Sequence, residues 1–67
     1  MEKFGRVVER HAETPVKLTH DATGAMLHGT LFYEYPVDIP PVVEVPSIGM
    51  TLYRDVWVDR GWKVEDV

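Results

Sequence analysis

The sequence predicts a mainly β fold: a small half-open barrel or sheet of four to five short antiparallel strands, with an extended proline-rich arm and room for a short N-terminal helix. Three observations point there. Apolar and polar residues alternate with period two through residues 16–20 and again through much of 25–35, as half-buried strands require. Turn residues cut these runs into hairpin lengths. Four of the five prolines fall at positions 36, 40, 41 and 46, which rules out helix across that stretch. Sixty-seven residues make one domain, residues 1–67, with residues 36–48 as its arm.

The opening segment reads two ways. Phe4, Val7, Val8 and His11 stand at i, i+3, i+4 and i+7, one face of a helix that Thr14-Pro15 would end. Gly5 and the β-branched pair Val7-Val8 are poor helix formers, so Gly5 to Arg10 also fits a strand. Helix over residues 2–13 is the slightly favoured reading.

From Val16 the pattern is clearer. Val16, Leu18 and His20 alternate with Lys17 and Thr19, and Asp21-Ala22-Thr23-Gly24 has the composition of a turn. A longer strand follows, from Ala25 to Tyr35. A four-residue loop pairs His20 with Ala25 and Leu18 with Leu27, collecting Val16, Leu18, Leu27, Leu31, Tyr33 and Tyr35 on one face. A three-residue loop would scatter the same side chains over both faces. Burial specifies register more strongly than turn preference, so the four-residue loop is expected.

Residues 36–48 join four prolines to an apolar side made of Val37, Ile39, Pro41, Val43 and Val45, with Asp38 and Glu44 opposite. Proline cannot donate a ladder hydrogen bond, so the arm is expected to be extended yet barred from the middle of a sheet. Such a segment needs an apolar surface, either its own sheet or another chain.

The last third reads as a second hairpin. Met50 to Val58 is one strand, Asp59-Arg60-Gly61 the turn with Gly61 left-handed, and Trp62 to Val67 the return. Val58 would face Trp62, Val56 would face Val64 and Arg54 would face Asp66. The other face would set Trp57 beside Lys63 and Asp55 against Glu65. Across both hairpins the expected core is Leu18, Leu27, Leu31, Val56 and Val64.

Val45-Pro46-Ser47-Ile48-Gly49-Met50-Thr51-Leu52, followed by Trp62-Lys63-Val64-Glu65-Asp66-Val67, resembles the pattern of small SH3-like barrels. There a Pro-x-x-Gly turn introduces a strand and a Trp-x-Val-x-x-Val strand closes the barrel. The resemblance covers about the last third of the chain. It implies a half-open barrel of about five strands and no activity.

Composition limits the function classes. Without cysteine the chain has neither disulfides nor thiolate metal sites, and a domain this small has a marginal core of its own. A partner subunit is the most economical source of the missing stability. The formal net charge is −4, and all of residues 21–49 carry Asp21, Glu34, Asp38 and Glu44 with no lysine or arginine. That acidic middle argues against wrapping a phosphate backbone. The longest apolar run is too short to span a bilayer, and the first residues lack a secretory apolar core. A cytoplasmic location is therefore expected, or the virion if the source is viral.

Chemistry is sparse. The single serine, Ser47, lies between Pro46 and Ile48 with no base beside it, and no glycine-rich phosphate loop is present. His11, His20 and His28 are the candidate metal ligands, but none are spaced as a helical pair, and separate structural histidines are the simpler reading. Tyr53, Trp57 and Trp62 interleave with Arg54, Arg60 and Lys63, which would suit stacked bases but for four acids in the same stretch. What remains has positive support, since Trp, Tyr and Met are enriched at interfaces. The sequence thus favours a non-catalytic protein-interaction or assembly module without cofactor or metal. It would be a small accessory subunit of a larger complex such as a viral particle, acting as an oligomer or on a protein partner. The expected contact residues are Val37, Ile39, Val43, Val45, Tyr53 and Trp57. The competing readings are an acidic inhibitor that fills a partner's cationic site and a single-stranded nucleic-acid binder.

Overall fold

A computed structural model of the chain describes residues 10–34 and 40–67. It is mainly β. Five antiparallel strands, β1 (Arg10–His20), β2 (Met26–Glu34), β3 (Val42–Val45), β4 (Met50–Tyr53) and β5 (Trp62–Asp66), form one sheet in the order β4-β3-β2-β1-β5. A 3-10 turn, Pro46–Ile48, joins β3 to β4, and one short helix, α1 (Arg54–Asp59), joins β4 to β5. The first four strands meander and the fifth returns to the free side of β1. The five-stranded antiparallel sheet is compatible with a small barrel. No helix among the described residues is long and apolar enough to cross a membrane.

The first hairpin forms in the expected register. Leu18 faces Leu27 and Thr19 faces Met26. The loop closes with His20 N–H donating to the Ala25 carbonyl at 2.9 Å and Gly24 N–H to the His20 carbonyl at 2.8 Å, Gly24 taking φ +74°. Val16 and Leu18 are fully buried, with Leu27 and Leu31 packed half-buried against them. Further along, β1 holds one extra residue between His11 and Thr14, a bulge that places Ala12 at φ +55°. Arg10 to Glu13 is therefore strand rather than the end of a helix, and residues 2–9 lie outside the described residues.

The proline-rich stretch corrects one expectation. Of its described residues Val42–Val45 is extended, as expected, whereas Pro46–Ile48 turns in a 3-10 helix, and Val42–Val45 is not excluded from the sheet: β3 lies between β2 and β4. The prolines punctuate this strand instead of interrupting it. Pro41 stands just before it and uses its carbonyl, which accepts Arg54 N–H at 2.9 Å. Pro46 stands just after it at the first position of the 3-10 turn, where a missing N–H costs nothing. Gly49 at φ +65° ends that turn. Four proline-free residues are enough for a strand, and their alternation puts Val43 and Val45 into the core.

The second hairpin does not form. The predicted strand from Met50 to Val58 ends at Tyr53, and β5 pairs with β1 instead of β4, setting Leu18 against Val64 and His20 against Trp62. Two physical reasons favour this arrangement. The hairpin would set Asp55 against Glu65, whereas the observed ladder sets Lys17 against Glu65. It would also leave Trp57 on a solvated face. One helical turn carries Trp57 into the core, 1% exposed, where its indole N–H donates to the Val43 carbonyl at 3.1 Å. A buried indole of this size contributes several kcal/mol by area, on the order of 25 cal/mol per Å² over 150–250 Å². Trp57 packs edge-on against Trp62, not Lys63, and Trp62 edge-on against His20. Val56 and Val64 are half-buried.

The core is thus Val16, Leu18, Val43, Val45 and Trp57, closed in by Leu27, Leu31, Met50, Leu52, Trp62 and Val64. Gly29 belongs to the same construction. A Cβ there would overlap the Glu44 carbonyl oxygen and touch Val45 Cγ2 at 3.1 Å, so only glycine lets β3 curl this closely over β2. On the opposite face Phe32 and Val42 are buried against each other across the β2–β3 ladder.

Candidate functional site

Edge strand β4 brings together an open cavity and a backbone edge that no described strand pairs with. Arg54 N–H to the Pro41 carbonyl continues the β3–β4 register one step beyond the pair Val42 and Tyr53. Bonded and non-bonded pairs alternate in an antiparallel ladder. Met50 and Leu52 therefore direct their backbone groups to β3, and Thr51 and Tyr53 direct theirs outward. Among the described residues no strand pairs with that outer edge.

Beside it lies a cavity of about 290 Å³ lined, among the described residues, by Glu34, Val42, Thr51, Leu52, Tyr53 and Val56. Four elements contribute: the end of β2, the start of β3, β4 and the first turn of α1. Val42 and Tyr53 are cross-strand partners and form adjoining walls. Tyr53 is 47% exposed, so the cavity opens on the surface. Val42, Leu52 and Val56 make aliphatic walls, and Thr51, the Tyr53 ring and the Glu34 carboxylate complete the lining.

The ladder partner of Glu34 is Arg10, but the Arg10 guanidinium turns to Glu44, at 2.9 and 3.4 Å, and lies 4.2 Å above the centre of the Phe32 ring. The hydrogen bond from Arg10 to Glu44 is the largest cause holding the guanidinium above its ordinary pKa, against a smaller opposing effect of burial; the fields of Glu44, Glu13 and Glu34 add to it. Glu44 is thereby neutralised and Glu34 makes no ion pair among the described residues.

The expected contact residues are placed differently from one another. Tyr53 lines the cavity and is exposed. Val43 and Val45, both 0% exposed, and Trp57 belong to the chain's own core. Val37 and Ile39 lie outside the described residues. Glu34, Val42, Thr51, Leu52 and Val56 went unrecognised in the sequence. The one signal available was Glu34 itself, an acid in a stretch without lysine or arginine.

The other candidate chemistries do not assemble at this edge. No three His, Asp or Glu side chains group as metal ligands among the described residues. His20 has both ring nitrogens engaged: Nδ1 faces Ala22 N–H at 3.2 Å and Nε2 the Arg60 carbonyl at 3.2 Å. A carbonyl only accepts, so Nε2 donates and Nδ1 accepts, and His20 ties the first hairpin loop to the α1–β5 turn. With Trp57 buried, the aromatic residues of the last third do not form a shared stacking surface. Comparison with protein-family models, curated proteins and solved structures gives no match.

Proposed function

We propose that this chain is a non-catalytic interaction module, a small SH3-like half-open barrel that serves as an accessory subunit of a larger assembly. Its docking face is the outer edge of β4. The observation that carries this reading is the coincidence there of outward-facing backbone groups at Thr51 and Tyr53 with an open, mainly apolar cavity. Strand addition supplies affinity through main-chain hydrogen bonds, and a pocket for alternate side chains supplies selectivity. Helix α1, packed against both β4 and β5, supports the barrel reading because it bridges the two ends of the sheet.

Photo-crosslinking in the native host tests it. With p-benzoylphenylalanine at position 53, a discrete adduct to a second protein is expected. Thr51→Pro should remove that adduct without unfolding the chain, since an outward N–H takes no part in the sheet's own ladder. The same probe at position 23, in the first hairpin loop, should give no such adduct. Equal labelling from positions 23 and 53, or an adduct that survives Thr51→Pro, overturns the proposal.

A further inference from the structure

We infer that the β4 edge takes an extended peptide bearing a lysine or arginine, with the methylene stem in the cavity and the cationic head at Glu34. The inference rests on the interaction-module reading and names its partner's chemistry. Glu34 lines the cavity and has no ion pair among the described residues, because Arg10, its ladder neighbour, is held by Glu44. A docked peptide strips water from this carboxylate. An aliphatic anchor would leave it desolvated and unpaired, which is costly, and an acidic anchor would repel it. A basic side chain meets both demands. Its stem lies on Val42, Leu52 and Val56, and its head reaches the carboxylate beside the face of the Tyr53 ring. Because alternate side chains of an added strand point away, a single anchor suffices and its neighbours are weakly specified.

A second copy of the chain fits this edge poorly. Met50–Tyr53 carries no cation, and residues 21–49 contain no lysine or arginine. Self-pairing through β4 would bring two Glu34 side chains toward one surface, and the nearest cation along the chain, Arg54, already lies 4.0 Å from Asp55.

The test uses capped peptides Thr-Val-X-Val-Thr, with X as lysine, norleucine or glutamate, titrated into the 15N-labelled protein. Norleucine retains the stem and lacks the charge. Amide shifts centred on Thr51 and Tyr53 report docking whatever the side chain, so edge binding and charge recognition are read separately. The lysine peptide is expected to bind about tenfold more tightly than the norleucine peptide, the size of one charge-assisted contact. The glutamate peptide is expected to bind more weakly than both. Glu34→Gln should erase the lysine advantage and leave norleucine binding no weaker, with an otherwise unchanged amide spectrum. Equal affinity of the lysine and norleucine peptides, with shifts at Thr51 and Tyr53, overturns the basic-anchor inference and leaves edge docking standing. Absence of shifts with every peptide up to about 1 mM, the range of weak strand addition, overturns both.

Discussion

Trp57 shows how one side chain redirects a segment. Val56-Trp57-Val58 has strand propensity throughout, and pairing rules alone extend β4 through it. A strand gives successive residues opposite faces, so it could bury the valines or the tryptophan but not both. The fold buries the tryptophan, leaves Val58 49% exposed, and satisfies the indole N–H on the Val43 carbonyl. Leu18 was legible because alternation in β1 and the hairpin register agree on its face. Trp57 was not, because its gain depends on a core built by β3, itself hidden behind prolines. Trp57→Phe keeps an aromatic ring and removes the donor. It should cost about 1–3 kcal/mol from the lost hydrogen bond and the small void, readable as a lower urea midpoint with an unchanged m-value. A cost near zero would mean that the indole hydrogen bond contributes nothing to the core.

The elements differ in how far local sequence specifies them. The β1–β2 hairpin was readable because loop chemistry and burial select the same register. Strand β3 is obscured because prolines are dense across residues 36–48 as a whole, while only its flanks carry proline within the described part. The partner of β5 could not be read from a turn at all, since β5 returns to a strand laid down over forty residues earlier. The site inherits this limit: Tyr53 was identifiable as an exposed aromatic, but its neighbours Glu34 and Val42 reach it only through the β2–β3–β4 register. That register makes its own prediction. Amide hydrogen exchange along β4 should alternate, with Leu52 protected by the β3 ladder and Thr51 and Tyr53 exchanging quickly in the free protein. Uniform protection would show the outer edge of β4 to be already covered, and the docking face would have to be sought elsewhere.

At the scale of the molecule the question is what its acidity does. The formal net charge of −4 suits both an acidic inhibitor and a scaffold that merely stays soluble, and these readings differ in the range of the forces they use. An inhibitor matched to a cationic partner sums many charges, and its binding falls steeply as the screening length shortens from about 30 Å at 0.01 M salt to about 3 Å at 1 M. Three of the described acids have a cation within 4.0 Å. Glu44 is spent on Arg10, Glu65 lies 3.5 Å from Lys63, and Asp55 is loosely paired with Arg54 at 4.0 Å. Of the described carboxylates, Glu34 is the one that lines the cavity. Docking through main-chain bonds, aliphatic contact and this one charge should therefore depend on salt no more than a single ion pair does. Between 0.05 and 0.5 M sodium chloride the lysine peptide should lose roughly threefold to tenfold in affinity, and the norleucine peptide almost nothing. Titration calorimetry at both salt concentrations reads the two slopes. A loss of about a hundredfold or more with either peptide would mean that the summed acidic surface carries binding, and the inhibitor reading would replace the edge-docking one.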